Sequence, residues 1–271
     1  MIDLGLRGRR AVVCGAGFIP ERAGHGRYTA LALGEAGARV ACVDLDEGRA
    51  KAIAGKIREA GGAAFPVVAD VREREQVTRA FDLAVAELGG VDLCVDIVGE
   101  AQWDPVLDLT PETWEEQLRG NVTQVFYVWQ EAARRMVGQG TGGSLVALAS
   151  VDGTVAAAFH AAYGAAKAGV ISLAATFAHE LGRYGIRANA VAPGNVGSGN
   201  MDQRPGEYAV NGINPLAAPR AVDVANAVLF LCSDLAARTT GQTLLVDGGA
   251  TTAELWGITE QVLPALRVGL P

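Results

Sequence analysis

Short apolar runs alternate along this chain with longer amphipathic or alanine-rich stretches. The short runs are rich in valine and leucine and bounded by turn residues, which is typical of strands buried on both faces of a parallel sheet. We predict seven strands, at residues 10–14, 39–44, 64–68, 93–98, 144–149, 187–192 and 243–246. Helices are predicted after every strand but the last, at residues 26–36, 47–60, 74–88, 111–137, 157–184 and 221–233. This alternation predicts an α/β fold, a parallel seven-stranded sheet with helices on both faces.

No linker, internal repeat or charge block interrupts the pattern, so we expect a single domain over residues 1–271. A chain of 271 residues, half of them hydrophobic, can bury one large core. We place that core at about residues 8–249 and a C-terminal extension at 250–271. Residues 193–219 contain several glycines and prolines and lack periodicity, which indicates a long loop or lid.

The charge of the chain narrows the choice of partners. A formal net charge of −7 disfavours nonspecific binding to nucleic acid or to an anionic membrane, because both are polyanions. No apolar run reaches the roughly 18 residues that a membrane-spanning helix needs, and the start of the chain lacks the apolar stretch of a signal peptide. We therefore expect a cytoplasmic protein that acts on small molecules. The four isolated cysteines are expected to be buried free thiols.

The first predicted strand runs directly into a turn that contains glycines, and a helix follows. Gly15, Gly24 and Gly26 lie in this turn. Exposed backbone N–H groups at a helix N-terminus attract a pyrophosphate, and glycines let it approach without a Cβ in the way. The strand–turn–helix context therefore predicts the dinucleotide site of a Rossmann-type, doubly wound fold.

Acidic residues stand at the ends of the next two predicted strands. Asp44 lies where a doubly wound fold places an acid for the adenosine ribose hydroxyls, and a carboxylate there repels a 2′-phosphate. We therefore expect NAD rather than NADP. Asp44 as the N-cap of the next helix is the alternative, although Asp46 is better placed for that cap. Arg22 and Arg27 are near enough in sequence to reach a phosphate, and Asp70 could accept from the adenine amino group or cap a turn.

A candidate acid/base pair follows the fifth predicted strand, which runs into Ser150. Tyr163 and Lys167 lie four residues apart on a predicted helix, which places them on one face. An ammonium beside a phenol favours the phenolate and lowers the pKa of the tyrosine from its usual value near 10. Tyrosine and lysine at this spacing are also common on solvated helix faces, so the pair alone leaves both interpretations open.

These motifs occur in the order found in the classical short-chain dehydrogenase/reductase family, which the sequence resembles from about Gly8 to Gly249. The resemblance rests on the glycine turn, on Asp70 in ADV, on Asn121, on Ser150, on Tyr163-x-x-x-Lys167, on NAVAPG at 189–194 and on TGQTLLVDGG at 240–249.

The resemblance implies a catalytic tetrad. Tyr163 would be the general acid/base, Ser150 would hold the substrate oxygen, and Lys167 would bind the nicotinamide ribose and lower the pKa of Tyr163. Asn121 would hold a water that links Lys167 to solvent. No metal is required for this chemistry. The cofactor-binding residues implied are Gly15, Gly24, Gly26, Asp44, Asp70, Val71, Gly99, Tyr163, Lys167, Pro193, Gly194 and Val196, the last through its backbone.

The same resemblance places the substrate between Tyr163, the nicotinamide and residues of 195–215. Trp103 and Phe159 would favour a flat or cyclic apolar body, although core packing is the commoner role of such residues. Asp152 or His160 could meet a second polar group. The substrate-contacting residues expected are Gln102, Trp103, Asp152, Phe159 and His160.

Three departures from the family pattern limit these expectations. Eight residues, 16–23, separate the first two glycines of the turn where the family usually has three, and Cys14 replaces the usual threonine. The insertion could fold outward or reach across the cofactor. Asp96 stands in the family's NNAG motif, of which only Gly99 remains, and we expect it to accept hydrogen bonds in a structural role. The extension carries apolar residues that could cover a substrate cleft or a neighbouring subunit, namely Leu255, Trp256, Ile258, Val262, Leu263 and Leu266.

Three functional hypotheses follow. The first is an NAD-dependent oxidoreductase that acts on a secondary alcohol or its ketone, the substrate being a cyclic or hydrophobic small molecule. The second is an NADPH-dependent ketoreductase, marked by Arg22 or Arg27 on the 2′-phosphate. The third is a non-catalytic dinucleotide sensor, which the complete tetrad disfavours. The resemblance also implies a homotetramer.

Overall fold

The fold is described from a computed structural model, which covers residues 3–20, 23–196, 216 and 218–252. Seven parallel strands form one sheet in the order β3-β2-β1-β4-β5-β6-β7. The strands are β1 (Arg10–Cys14), β2 (Arg39–Asp44), β3 (Ala63–Val68), β4 (Leu93–Asp96), β5 (Gly143–Leu148), β6 (Ile186–Pro193) and β7 (Thr243–Val246). The order reverses direction between β1 and β4, as a doubly wound sheet requires, so the predicted fold class is confirmed.

Helices connect these strands, and a short polar side chain caps the start of two of them. Asp46 caps α2, accepting a 2.8 Å hydrogen bond from the Arg49 amide, so the N-cap expected there is confirmed. Thr110 caps α4, in which Pro111 is the first residue. The helices are α1 (His25–Glu35), α2 (Glu47–Glu59), α3 (Arg74–Leu88), α4 (Pro111–Leu118), α5 (Gln124–Gln139), α6 (Ala161–Leu181) and α7 (Ala221–Cys232).

The sheet has a hydrophobic core on each face. One core joins α3, α5 and α6 to the sheet and contains Trp129 and Phe81, both fully buried. The other joins α1, α2 and α7 and contains Leu33, Ile53 and Leu231. Because both faces are covered, the strands are apolar without alternation, which is the pattern from which they were predicted.

One predicted strand ends early and one predicted helix is divided. The strand predicted to 98 stops at Asp96, because the Asp96 carboxylate accepts the Val98 amide at 3.0 Å and turns the chain out of the sheet. The helix predicted over 111–137 is interrupted by one π-helical turn, Arg119–Thr123, which divides it into α4 and α5. Such turns carry one extra residue and are frequent at functional sites.

The predicted absence of long apolar runs needs a correction. Residues Ala161–Tyr184, comprising α6 and the turn after it, are long and apolar enough by length and composition to cross a membrane. However, α6 packs on β6 in one of the two cores, and core helices pass the same test. The absence of a membrane partner stays a prediction. The four cysteines are buried and free, as expected.

Three expected features lie wholly or mostly outside the described residues. They are most of the predicted loop at 193–219, the apolar residues of the extension from 253 onward, and Arg22.

Candidate active site

A large cavity opens at the carboxyl edge of the sheet, where the turns after the strands meet. Its volume of about 1090 Å³ is at the upper end for small-molecule sites and suits a dinucleotide together with a small substrate. The structure brings all of the predicted cofactor and catalytic residues to its wall: Gly15, Gly24, Gly26, Asp44, Asp70, Val71, Gly99, Asn121, Ser150, Tyr163, Lys167, Pro193, Gly194 and Val196.

The turn after β1 packs so closely on α1 that only glycine fits at two positions. A Cβ on Gly26 would lie 1.8 Å from the Gly15 carbonyl oxygen, and one on Gly15 would lie 2.9 Å from a Val98 methyl. The first turn of α1 contains no acidic residue and has no side-chain cap. Its backbone N–H groups are therefore available for an anion, and the turn fits the pyrophosphate of a dinucleotide.

Asp44 lies at the end of β2 with its carboxylate largely buried. It accepts the Gly17 amide at 3.0 Å, the Asp46 amide at 3.0 Å and Arg49 Nε at 2.9 Å. A Cβ on Gly17 would lie 2.4 Å from an Asp44 oxygen, so this position also requires glycine. These contacts hold the acid at the cavity wall, where the sequence predicted a ribose ligand.

Sequence reasoning missed Gly17 and Arg49, both of which line the cavity. The sequence could have indicated Arg49 as a cavity residue, because it lies in the first turn of the helix after Asp44 and that turn borders the same edge of the sheet. Arg72, also missed, lines the cavity and pairs with Asp70 through both carboxylate oxygens, a pairing that lowers the pKa of Asp70. Asp70 is therefore already engaged by a cation where an adenine contact was expected.

The catalytic candidates meet between β5 and α6. Tyr163 and Lys167 lie one helical turn apart, with the ammonium 5.5 Å from the centre of the phenol ring. Burial raises the pKa of Tyr163 to about 12, a hydrogen bond with Ser150 opposes the rise, and Asp152 adds to it. We expected Lys167 to lower the pKa of Tyr163, and this expectation is wrong for this structure. Burial outweighs the other influences, and the phenol holds its proton.

Lys167 is almost completely buried beneath the cavity. Its ammonium donates to the Leu148 carbonyl at 2.8 Å, and burial lowers its pKa to about 8 although Asp96 opposes the change. A Cβ on Gly99 would lie 2.8 Å from this ammonium and 2.6 Å from Asn121 Oδ1. Gly99 therefore lets the lysine and the asparagine approach the same point, which explains why the glycine of the NNAG motif is kept.

Asn121 is positioned by the π-helical turn. Its Oδ1 accepts the Glu100 amide at 3.1 Å, and its Nδ2 donates to the carbonyls of Glu100 and Gln117 at 3.0 Å each. The side chain is thus held rigidly at the cavity wall, and its role toward a water stays a prediction.

Comparison with known proteins identifies the family. A family model described as enoyl-(acyl carrier protein) reductase matches residues 20–251. The chain belongs to the classical short-chain dehydrogenase/reductase family. Members of this family use a nicotinamide dinucleotide in oxidation and reduction, which agrees with the cradle for a dinucleotide described above.

Relatives of this short-chain dehydrogenase/reductase span nearly its whole length. L-rhamnose 1-dehydrogenase (NAD(P)(+)) of Azotobacter vinelandii is 35% identical, over 83% of this chain and 92% of its own. D-threitol dehydrogenase of Mycolicibacterium smegmatis is 35% identical, over 92% and 95%. Cis-4-hydroxycyclohexanecarboxylate dehydrogenase of Sinomonas cyclohexanicum is 37% identical, over 90% and 96%. The crystal structure of a putative short-chain dehydrogenase/reductase from Burkholderia xenovorans superposes with a TM-score of 0.84 at 35% identity, over 92% and 98%.

The insertion in the glycine turn of this short-chain dehydrogenase/reductase reaches the cavity. Ile19 and Ala23, on either side of the residues that are not described, line its wall. Arg27 does not line it: its guanidinium lies 4.7 Å from the centre of the Phe18 ring, and its Nε is buried. The expectation that Arg27 could reach a phosphate is therefore not supported, because the cation is engaged with an aromatic ring.

His25 lies between two glycines of the turn and is a further residue that sequence reasoning missed. It lines the cavity, its Nδ1 is buried with no hydrogen-bond partner among the described residues, and burial lowers its pKa to about 4. Lys167 contributes to the same shift. His25 is therefore a neutral ring at the dinucleotide end, and its position inside the glycine motif was the available signal.

The substrate candidates separate into two groups. Gln102, Trp103, Asp152 and His160 line the cavity. Phe159 is 53% exposed and does not line it, which corrects its predicted position. The reason is local: Phe159 has a left-handed backbone with φ of 67°, and its neighbour His160 occupies the cavity wall instead.

Asp96 is completely buried beneath the catalytic residues, where the family has an amide. One carboxylate oxygen accepts the Val98 amide, while the other has no hydrogen-bond partner in the described part of the chain. Burial raises the pKa of Asp96 from 3.8 to about 7, although the Val98 hydrogen bond, the Lys167 ammonium and the Gln124 side chain all oppose the rise. Only one of the two Asp96 oxygens therefore has a hydrogen bond of the kind that we expected, and the charged form of Asp96 is destabilised.

Asp96→Asn should stabilise the protein, and more so at high pH. The folded-state pKa lies above the usual value, so the contribution of this carboxyl to stability falls as pH rises from 3.8 to about 7. An amide keeps the acceptor for Val98 and carries no charge. We expect the free energy of unfolding to rise on the order of 1–4 kcal/mol at pH 8 and less at pH 5, measured by urea denaturation. Asp108→Asn, at an exposed position, is the control, and an equal gain at both pH values would contradict the assignment.

Proposed function

We propose that this chain transfers a hydride between NAD(H) and a small secondary alcohol or its ketone, with Tyr163 as the proton-transferring group. The observation that carries the proposal is the placement of the Tyr163 phenol beside Ser150 and near the buried Lys167, on the wall of a cavity whose other end is bordered by a tight glycine turn suited to a dinucleotide. The names of its relatives, which include dehydrogenases of rhamnose and threitol, support an alcohol as substrate.

Each catalytic residue has a distinct part in this reaction. A nicotinamide held in the cavity would accept the hydride in oxidation or supply it in reduction. Ser150 orients the substrate oxygen, and in reduction Tyr163 donates its proton to the carbonyl oxygen. In oxidation Tyr163 must first be deprotonated, and it then takes the proton of the substrate hydroxyl. Lys167, held by the Leu148 carbonyl, presents a cation below the phenol and stabilises its deprotonated form during oxidation. Asn121 keeps this arrangement in place through its bonds to Glu100 and Gln117.

NAD is the cofactor that we favour, because the Asp44 carboxylate lies at the cavity wall in the position of a ribose ligand. One observation favours NADPH and a ketoreductase as the second candidate. Arg49 also lines the cavity and lies 2.8 Å from Asp44, so its guanidinium could instead pair with a 2′-phosphate. A non-catalytic sensor is disfavoured because the structure brings the whole tetrad together.

Tyr163→Phe tests the proposed reaction. We expect it to lower kcat for oxidation of 2-butanol and cyclohexanol by about 10²–10⁴-fold, because the proton acceptor is lost. NADH affinity, followed by nicotinamide fluorescence, should change little. Tyr184→Phe, the same substitution at an exposed position beyond α6, is the matched control and should keep full activity. Undiminished turnover by Tyr163→Phe would remove this residue from the mechanism.

Titration with NADH and NADPH separately tests the cofactor preference. The wild-type protein should bind NADH more tightly, and Asp44→Asn should raise NADPH affinity about tenfold by removing a like charge. Arg49→Gln should lower NADPH affinity if Arg49 meets the phosphate. Glu47→Gln, an exposed acid on the same helix, is the control. Tighter NADPH binding by the wild type would instead establish the ketoreductase alternative.

We also propose a homotetramer in the cytoplasm. The exposed side of helix α6 carries several alanines, so this helix is apolar there as well as on its buried face. Leu244 and Leu245 of the edge strand β7 are partly exposed. These features suit burial against other copies of the chain. Sedimentation equilibrium should give four times the 28.0 kDa chain mass, and a monomer mass would contradict the proposal.

A further inference from the structure

Asp152 and His160 form a buried pair beside the catalytic tyrosine. The His160 Nδ1 lies 2.6 Å from an Asp152 carboxylate oxygen, and the two side chains are 8% and 16% exposed. Both residues line the cavity. The pair joins the short turn after β5 to the start of α6, so two elements that carry catalytic residues also hold this contact.

The carboxylate determines which nitrogen of His160 carries the hydrogen. A carboxylate only accepts hydrogen bonds, so Nδ1 is the donor and, in the neutral ring, Nε2 presents a lone pair. Nε2 is buried and has no hydrogen-bond partner among the residues that the structure describes. A buried polar atom without a partner is costly, and a ligand group in the cavity would supply the missing partner.

The position of the ring limits where that ligand group can lie. The centre of the His160 ring is 5.3 Å from that of Tyr163, and the Asp152 amide donates to Ser150 Oγ at 3.2 Å. The pair is therefore adjacent to the two residues that hold the reacting oxygen. A hydroxyl group on the carbon next to the reacting one would lie on the same side of the substrate.

The backbone around His160 is held in an unusual conformation. Phe159 is the one non-glycine residue with positive φ in the described ranges, and its carbonyl accepts the Asp104 amide at 3.0 Å. Trp103, next to Asp104, places its ring 4.0 Å from the His160 ring. A left-handed conformation is unfavourable for a residue with a bulky side chain and persists only where surrounding contacts hold it, which is characteristic of functional sites.

We propose that the Asp152–His160 pair is a specificity site, in which His160 Nε2 accepts a hydrogen bond from a second hydroxyl group of the substrate on the carbon adjacent to the one oxidised. The enzyme then takes vicinal diols and polyols in preference to simple secondary alcohols. This inference rests on the proposed function, because it needs the reacting oxygen to lie at Ser150 and Tyr163. It adds to that function a substrate class recognised by a neutral acceptor.

Matched substrates that differ by one hydroxyl test the inference. The pairs are 2,3-butanediol with 2-butanol and 1,2-cyclohexanediol with cyclohexanol, each as a mixture of stereoisomers. We expect the wild type to show a kcat/KM at least about tenfold higher for the diol of each pair, the effect of one neutral hydrogen bond. Equal values for the two members of both pairs would overturn the inference and leave the proposed function intact. Turnover of none of the four alcohols by a protein that binds NADH would overturn the proposed function.

Two variants assign the preference to the pair. His160→Phe keeps a ring against Trp103 but removes both nitrogens, and it should lower kcat/KM for the diols about tenfold more than for the mono-alcohols. Asp152→Asn replaces a group that only accepts by an amide that can also donate to Nδ1, which lets the hydrogen move to Nε2 and should weaken the same preference. Because Asp152 also influences the pKa of Tyr163, the ratio of diol to mono-alcohol is the decisive quantity.

A control separates recognition from general damage. His179→Phe substitutes the exposed histidine of the same helix and should retain the wild-type ratio. Thermal melting curves establish that each variant is folded. An unchanged ratio in Asp152→Asn and His160→Phe, or an equal loss on both members of each pair, would show that the pair only supports the local structure.

Discussion

All seven strands run in the same direction, and this constraint places the chemistry at one edge of the sheet. Every strand end at that edge is followed by a turn, and residues one or two positions beyond a strand face a common cavity regardless of their separation in sequence. Asp44, Ser150 and Gly194 illustrate the rule, because each stands at or just after a strand end and each lines the cavity. The reversal of strand order between β1 and β4 opens the space that the dinucleotide turn borders.

A buried cation organises the catalytic half of this cavity. Removing an ammonium from water is costly, and the structure offsets that cost with the Leu148 carbonyl at 2.8 Å and with the nearby Asp96 carboxyl. Burying the Asp96 carboxyl is also costly, as its raised pKa and its oxygen without a partner in the described chain both show. A lysine with a lowered pKa and an aspartate with a raised pKa thus lie near Tyr163, for which we propose the proton transfer. This arrangement differs from the amide that the family usually has at Asp96.

Tight backbone packing organises the dinucleotide half. Gly26 contacts the Gly15 carbonyl and Gly17 contacts the Asp44 carboxylate, and neither contact would tolerate a Cβ. The insertion lies between these two glycine contacts in the sequence, yet it leaves both in place. Extra residues are therefore accommodated by the loop, while the strand end and the helix start keep the geometry that an anion requires.

The sequence by itself determined the architecture and indicated the candidate catalytic residues, which the structure brings to one cavity. The bounds predicted for β1, β2, β7 and α3 agree with the structure, because strands buried on both faces are continuously apolar and an amphipathic helix repeats with its own period. The motif spacings also identified Ser150, Tyr163 and Lys167 before any contact was known.

Only the tertiary structure decided features that depend on residues distant in sequence. The pairing of Arg49 with Asp44, the left-handed backbone of Phe159 and the burial that raises the pKa of Tyr163 belong to this group. Each is set by the packing of separate segments against one another, and hydrophobic periodicity records which residues are buried but not which neighbours they meet. The fate of Asp96 shows the difference. Its place in a strand was readable from the sequence, whereas its oxygen without a described partner and its proximity to Lys167 depend on how β4 and α6, far apart in the sequence, are brought together.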